Sequence, residues 1–262
     1  MSLLRRTLNL LGIYKIYEKW LYDNIKKGEI PSHIALILDG NRRWAIEKGY
    51  VPWEGHRFGA EKVDELLNWC LELGVKIVTL YVFSTENFKR PEKELSELFK
   101  LLEEKAQQYI KDSRIHKNRV KIKVIGRKNM LPEHLNDILQ KLEEATMNYD
   151  NFFVNIAIAY GGRAEIVDAT KNIAQKVLRG VLRLEDIDEK IIEKHLYTAD
   201  LPKNEPDLII RTSGEERISN FLLWQCAYSE LVFLDVYWPE FRKIDLMRAI
   251  RIYQKRKRRF GA

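Results

Sequence analysis

The sequence predicts an α/β fold, an open and mainly parallel six-stranded sheet flanked by helices, on three observations. Short apolar, β-branched runs recur at Ile34 to Leu38, Val75 to Phe83, Val120 to Ile125, Phe152 to Ala159, Leu208 to Ile210 and Leu231 to Leu234. They are apolar along their length rather than alternating, as strands covered on both faces are. Helix-length periodic stretches separate most of them, and such alternation belongs to an open parallel sheet.

Residues 1–30 read as an amphipathic helical segment. Leu3, Leu4, Leu8, Leu11, Ile13, Ile16, Tyr17, Trp20 and Leu21 fall at roughly helical spacing, which suits packing on the domain or resting on a membrane surface. The run Leu8 to Ile13 is too short to span a bilayer and lacks a small-residue cleavage site behind it, so it is a poor secretory signal. Helical periods then follow at 56–73, 92–111, 132–147 and 162–178. Pro91 with Glu92 and Glu94, and Pro132 with Glu133, punctuate helix starts.

Composition narrows the classes. A chain of 262 residues, 45% apolar and 11% aromatic, is expected to form one large core. Cys70 and Cys226, the only two cysteines, suggest neither a disulfide framework nor a thiolate metal site, and a reducing, cytoplasmic setting with at most peripheral membrane contact fits. The net charge of +7 is concentrated at one end: seven basic residues and no acid follow Asp245, while residues 1–245 hold 38 basic against 38 acidic. A nucleic-acid partner would need a basic face on the body. None is expected, and the tail reads as a local anion-binding or membrane-facing device.

Polar clusters follow four of the apolar runs, where ligands of open α/β sheets sit. Asp39-Gly40-Asn41-Arg42-Arg43-Trp44 sets a carboxylate at a strand terminus before residues tolerant of unusual backbone angles and two guanidinium forks. That set can hold a metal-bridged diphosphate, although Asp-Gly-Asn is also ordinary turn chemistry. Ser84-Thr85-Glu86-Asn87-Phe88-Lys89-Arg90 mixes hydroxyls, an amide, a carboxylate and a guanidinium, and reads equally as a loop with a helix cap. Tyr160 to Arg163 is a weak phosphate-loop signal. Arg211, Arg217 and Ser219 offer a multidentate grip on phosphate, and Glu230 could complete a magnesium site. His56 gains meaning only beside Asp39. A P-loop, a dinucleotide fingerprint and a nucleophile elbow are all missing, which demotes nucleotide hydrolases, dehydrogenases and serine hydrolases.

Taken together, Asp39 to Trp44, Glu54-Gly55-His56, Phe83 to Pro91, Tyr160 to Arg163 and Asp207 to Glu230 resemble the cis-prenyltransferases, the undecaprenyl and dehydrodolichyl diphosphate synthase family, from about His33 to Gly261. The resemblance implies a catalytic domain over residues 31–262 that condenses isopentenyl diphosphate onto an allylic diphosphate in successive cis additions. The long polyprenyl diphosphate formed is a lipid glycosyl-carrier precursor. An apolar product tunnel between the sheet and the helices near 56–73 and 92–111 is also implied.

The roles it implies are specific. Asp39 would hold magnesium and Glu230 complete its site. Gly40, Asn41, Arg42, Arg43 and Trp44 would cradle the allylic diphosphate beside His56, with Phe88 and Arg90 lining that site. Asn87, among Ser84, Thr85 and Glu86, would position isopentenyl diphosphate and assist proton removal at C2. Arg211, Arg217, Ile218 and Ser219 would bind its diphosphate. Arg259-Phe260-Gly261 resembles the family's C-terminal motif, which implies a homodimer whose tail completes the partner's site.

One departure stands out: Pro52, followed by Trp53, occupies the place where many bacterial members carry an arginine. Positive charge at the allylic site must come from elsewhere, Arg43 or Arg90, and with the lysine-rich composition this favours an archaeal-type enzyme using geranylgeranyl rather than farnesyl diphosphate. Two rivals are an inactive partner subunit, which the presence of Asp39 and Asn87 opposes, and a basic lipid- or nucleic-acid-binding module, which the neutral body opposes.

Overall fold

The computed structural model describes residues 13–256. Strands β1 (His33–Ile37), β2 (Ile77–Ser84), β3 (Val120–Ile125), β4 (Phe152–Tyr160), β5 (Leu208–Arg211) and β6 (Glu230–Phe233) form one sheet in the order β3-β4-β2-β1-β5-β6. All five adjacent pairs are parallel, so the mainly parallel sheet expected is wholly so. The helices are α1 (Ile13–Ile25), α2 (Asn41–Glu47), α3 (Glu54–Leu73), α4 (Glu92–Lys111), α5 (Ser113–Asn118), α6 (Glu133–Thr146), α7 (Gly162–Leu178), α8 (Glu189–Glu193) and α9 (Lys243–Lys255).

Strand residues alternate between two apolar layers. Ile34, Leu36, Val78 and Leu80 join the layer shared with α1, α3, α4, α6 and α9. Ala35, Ile37 and Ile209 face the other, with Tyr81, Tyr160, Phe221 and Leu222. Fully buried side chains such as Leu66 and Leu80 each contribute about 1.5–3 kcal/mol through the apolar area removed from water. Of the two uses open to the N-terminal segment, packing is realised over Ile13–Ile25: Leu21 and Ile25 are wholly buried. Arg251 lies 4.7 Å over the outward ring of Trp20. Residues 1–12 lie outside the described residues.

Three differences from the sequence reading bear on the site. The helix expected to begin at 56 starts at Glu54. Ser84 and Asn87 cap a 3-10 turn, Thr85–Lys89, rather than a loop. β6 begins at Glu230 instead of after it, in register with Leu208, which moves that carboxylate to the strand's first position.

Topology fixes where a ligand can sit. The chain leaves β1 toward β2 on one side and leaves β5 toward β6 on the other, so connections diverge between these neighbours. This is the switch point at which open α/β sheets form a crevice beyond the C-terminal strand ends. Asp39 follows β1, and Arg211 ends β5 in register with Ile37.

The opposite end of the sheet is anchored by His33, which is fully buried. Its Nδ1 faces the Lys203 carbonyl at 3.1 Å and its Nε2 the Thr79 hydroxyl at 2.8 Å. A carbonyl only accepts, so Nδ1 carries the proton and Nε2 accepts. Burial is the main cause that pushes its pKa down to about 4. Because the unfolded chain then binds a proton that the native one refuses, stability is complete above pH 6.5 and falls toward pH 4. Denaturant melts should lose about 2 kcal/mol between pH 7 and 5 from this group, and His33→Gln should flatten that slope. An equal slope in the variant contradicts the assignment.

Candidate active site

A polar cleft of about 720 Å³ lies over the switch point. Its centre is an ion pair: Arg211 Nη2 donates to Asp39 Oδ2 at 2.7 Å. Arg211 Nη1 donates to the Ser219 hydroxyl at 2.7 Å and to the Arg217 carbonyl. One guanidinium thus fixes both the end of β1 and the loop after β5. Asp39 is buttressed by Thr212, whose hydroxyl donates to the Asp39 carbonyl at 2.7 Å and accepts from its N–H at 3.0 Å. Burial raises the Asp39 carboxyl, but the Arg211 hydrogen bond and charge, with the Gly40 N–H and Ser213, outweigh it and hold the group below its ordinary range. It is ionised throughout the neutral range.

Gly40 turns the chain from β1 into α2 at φ 101°, and a Cβ there would stand 2.6 Å from the Tyr237 ring. Neither the angle nor the space admits another residue. Gly55 lets α3 approach α2 closely, since its Cβ would lie 2.0 Å from the Asn41 carbonyl oxygen. Arg43 donates to the Ser213 hydroxyl at 2.6 Å and to Glu215 at 3.2 Å, and lies 3.5 Å from Asp39.

On the far wall, Asn87 Oδ1 accepts from the Ser84 N–H at 3.0 Å. The carbonyl of that amide is therefore engaged in the cap. Glu94, 2% exposed, gathers Arg90 at 3.2 Å, Arg42 at 3.5 Å and His56 at 3.6 Å. Contact with His56, ahead of the opposing effect of burial, and then the charges of Arg90 and Arg42 hold the Glu94 carboxyl low. Burial lowers the His56 pKa against the opposing effect of Glu94, and His56 Nε2 lies 3.2 Å from Arg90 Nη1.

Comparison with known proteins adds to this geometry. The family model of undecaprenyl diphosphate synthases matches residues 37–261. The chain belongs to that family. It is 54% identical over 248 residues to a tritrans,polycis-undecaprenyl-diphosphate synthase (geranylgeranyl-diphosphate specific) of Pyrococcus horikoshii, covering 95% of this chain and 93% of that one. A protein of the same description from Methanocaldococcus jannaschii is 56% identical over 256 residues, covering 98% and 91%. Among solved structures, lavandulyl diphosphate synthase from Lavandula x intermedia in complex with dimethylallyl diphosphate aligns with a TM-score of 0.84 at 35% identity, covering 89% of this chain and 99% of that one. A probable undecaprenyl diphosphate synthase from Campylobacter jejuni aligns at 0.71 and 32% over the same shares.

In this member of the family the cleft brings together Asp39, Gly40, Asn41, Arg42, Arg43, His56, Ser84, Glu86, Asn87, Arg90, Arg211 and Ser219. Other expected residues stand elsewhere. Trp44 is buried, its ring 4.7 Å from Phe58 and 6.0 Å from Tyr50, so it supports α2 instead of touching the cleft. Phe88 packs edge-on against Phe83 at 4.8 Å in the core layer. Thr85, Arg217 and Ile218 do not line the cleft, and Arg217 points outward onto Glu215 at 2.6 Å. Arg259 and Gly261 lie outside the described residues.

Glu230 departs furthest from its expected place. As the first residue of β6 it sits roughly 16 Å along the strand direction from the level of Asp39, five residues at about 3.3 Å each, and it binds Arg256 at 2.8 Å. The two carboxylates do not meet within one chain, and no three His, Cys, Asp or Glu side chains gather into a metal site among the described residues.

Sequence reasoning missed three supporting residues. Glu94 reads as a helix-start acid. Asn220 accepts from the Arg163 and Gly162 N–H groups, at 2.9 and 2.7 Å, and donates to Glu86 at 3.0 Å, tying three loops together. Tyr81 donates to the Tyr160 and Ser219 carbonyls at 3.3 and 3.4 Å and stacks on Phe221. Its place within an apolar run hides that role.

If Glu94 organises the cationic wall, Glu94→Gln should raise the KM of the diphosphate substrate that this wall binds about tenfold, equivalent to about 1.4 kcal/mol, with a smaller effect on kcat. An unchanged KM in folded variant protein contradicts this.

Proposed function

We propose that the chain adds isopentenyl diphosphate in successive cis condensations to an allylic diphosphate, with geranylgeranyl diphosphate as starter, and releases a long polycis-polyprenyl diphosphate. One observation carries this reading. The polar cleft shares Leu38, Asn41, His56 and Val82 with an apolar cavity that runs down between α3, α4 and the sheet. A site for two diphosphates that opens onto an apolar channel suits a growing hydrocarbon chain. The geranylgeranyl starter is supported by the archaeal relatives named for it and by Pro52, which leaves Arg42, Arg43 and Arg90 as the cations of the allylic side.

The chemistry follows from charge. The allylic C1–oxygen bond breaks, the C4 carbon of isopentenyl diphosphate bonds to C1, and a C2 proton leaves as the new double bond forms. Arg42, Arg43 and the neutral His56 face the departing diphosphate, where negative charge grows most in the transition state. Arg211 and Ser219 hold the second diphosphate. Asn87, its carbonyl engaged with Ser84, acts through its amide N–H as a positioning donor, and the C2 proton passes to an oxygen of the departing diphosphate.

The residues fit magnesium in one respect. Asp39 is an ionised carboxylate beside arginines, and magnesium takes one or two carboxylates and completes its shell with phosphate oxygens and water. Bound there, it would neutralise charge on the leaving diphosphate. We assign Glu230, which Arg256 binds, to the same side of the site as Arg259 and Gly261, supplied by the second subunit of a homodimer. Peripheral contact with the membrane would receive the product; among the described residues no helix is long and apolar enough to cross a bilayer.

Incubation with magnesium, isopentenyl diphosphate and each acceptor tests the reading. Wild type should elongate geranylgeranyl diphosphate faster than farnesyl diphosphate, and Asp39→Ala should abolish elongation in protein that still folds, with a melting temperature lowered by the loss of the Arg211 partner. Folded protein that elongates no allylic diphosphate overturns it. Removal of residues 258–262 should reduce turnover sharply without unfolding the chain, and undiminished activity would sink the composite site.

A further inference from the structure

The apolar cavity that begins at Asn41 and His56 measures about 100 Å³. A second, of about 50 Å³, lies deeper, toward the N-terminal strand ends, among Cys70, Val75, Val120 and Phe152. They share Leu67, Tyr109, Ile122 and Val154 as walls. At this boundary α3 and α4 are joined by polar contacts. The Tyr109 hydroxyl donates to Asp64 Oδ1 at 2.7 Å, and Lys105 Nζ donates to Asp64 Oδ2 at 2.7 Å and to Gln108 at 3.1 Å. Tyr109 is buried. Burial, and then the charge of Asp64, push its hydroxyl well above the ordinary tyrosine range, so it remains protonated and a donor.

This arrangement differs from the packing around it. The walls on either side are mainly apolar, and their aliphatic side chains yield to an apolar guest without losing a hydrogen bond. Moving Tyr109 aside strips a partner from a half-buried carboxylate, and such a loss is expensive where water is scarce. Neither cavity as it stands holds a long polyprenyl chain, so α3 and α4 must part as the chain grows. Asp64, on α3, and Lys105 with Tyr109, on α4, fix the place where parting is hardest.

We propose that the Asp64–Tyr109–Lys105 clasp sets product length: the growing chain extends freely until it must displace Tyr109 to reach the second cavity, and there further addition gives way to release. This rests on the reading of the chain as an elongating prenyltransferase. Tyr109 and Asp64 act on specificity without touching the reacting atoms.

The test is product length. Wild type, Tyr109→Phe, which keeps the ring and loses the hydrogen bond, and Tyr109→Ala, which opens the passage, are incubated with magnesium, isopentenyl diphosphate and geranylgeranyl diphosphate, and products are resolved by chain length. The share of product longer than the principal wild-type length should rise several-fold in Tyr109→Phe and further in Tyr109→Ala. The rate of the first condensation should stay within about twofold, which merely loosened folding would not preserve. Unchanged or shorter products from folded variants overturn the clasp. Where Tyr109→Ala does not fold, Asp64→Asn decides by the same readout. Wild type that elongates nothing overturns the underlying function and the clasp with it, whereas wild type that elongates while its variants match its lengths overturns the clasp alone.

Discussion

The arrangement of the cleft depends on one ion pair across the switch point. Arg211 is 5% exposed at its side chain and Asp39 30%, so each charge has given up much of its hydration and relies on the other. Removing one partner of such a pair typically costs about 3–5 kcal/mol because the remaining charge is left uncompensated. The constraint radiates outward. Arg211 also fixes Ser219, in a segment where Ser213, Ser219, Asn220 and Leu222 all take positive φ, a conformation that non-glycine residues adopt only when their surroundings hold them there. Asn220 then carries the order on to the turn after β4 and to Glu86.

That polar layer lies on a sheet whose two faces are both apolar, and the contrast generates function. On the proposed reading diphosphates bind at the strand ends, where charged side chains and loop N–H groups collect. A hydrocarbon chain has one dry direction open to it, down the face covered by α3 and α4. The helices there meet the sheet mainly through leucine, valine and isoleucine, and the polar contacts between them run from Glu94, past the exposed Arg57–Glu104 pair, to Asp64.

Much of this is legible in the sequence. Apolar runs without alternation reveal strands covered on both faces, and polar clusters after four of them reveal a site at the strand ends, because a parallel sheet puts consecutive C-termini on one edge. Register and tertiary partners are not legible. Glu230 looks like a site carboxylate from its neighbours in sequence, yet starting β6 at that residue sends it to the opposite edge. Trp44 stands among cleft residues, but helical geometry turns its ring inward. Glu94 shows only Arg90 as a local partner and Tyr81 none, since their other partners lie 38 and 52 positions away for Glu94 and 79 and 138 for Tyr81, in a chain whose pairing is set by the sheet.

A double-mutant cycle on the ion pair tests the central claim most directly. Calorimetry would measure inorganic diphosphate binding, with magnesium present, to wild type, Asp39→Asn, Arg211→Gln and the double variant. If the two side chains organise the cleft as a unit, the double variant should lose far less than the sum of the singles, with a coupling of about 1–3 kcal/mol. Losses that add to within about 0.5 kcal/mol would contradict it, and would leave Asp39 and Arg211 as independent contacts on the ligand.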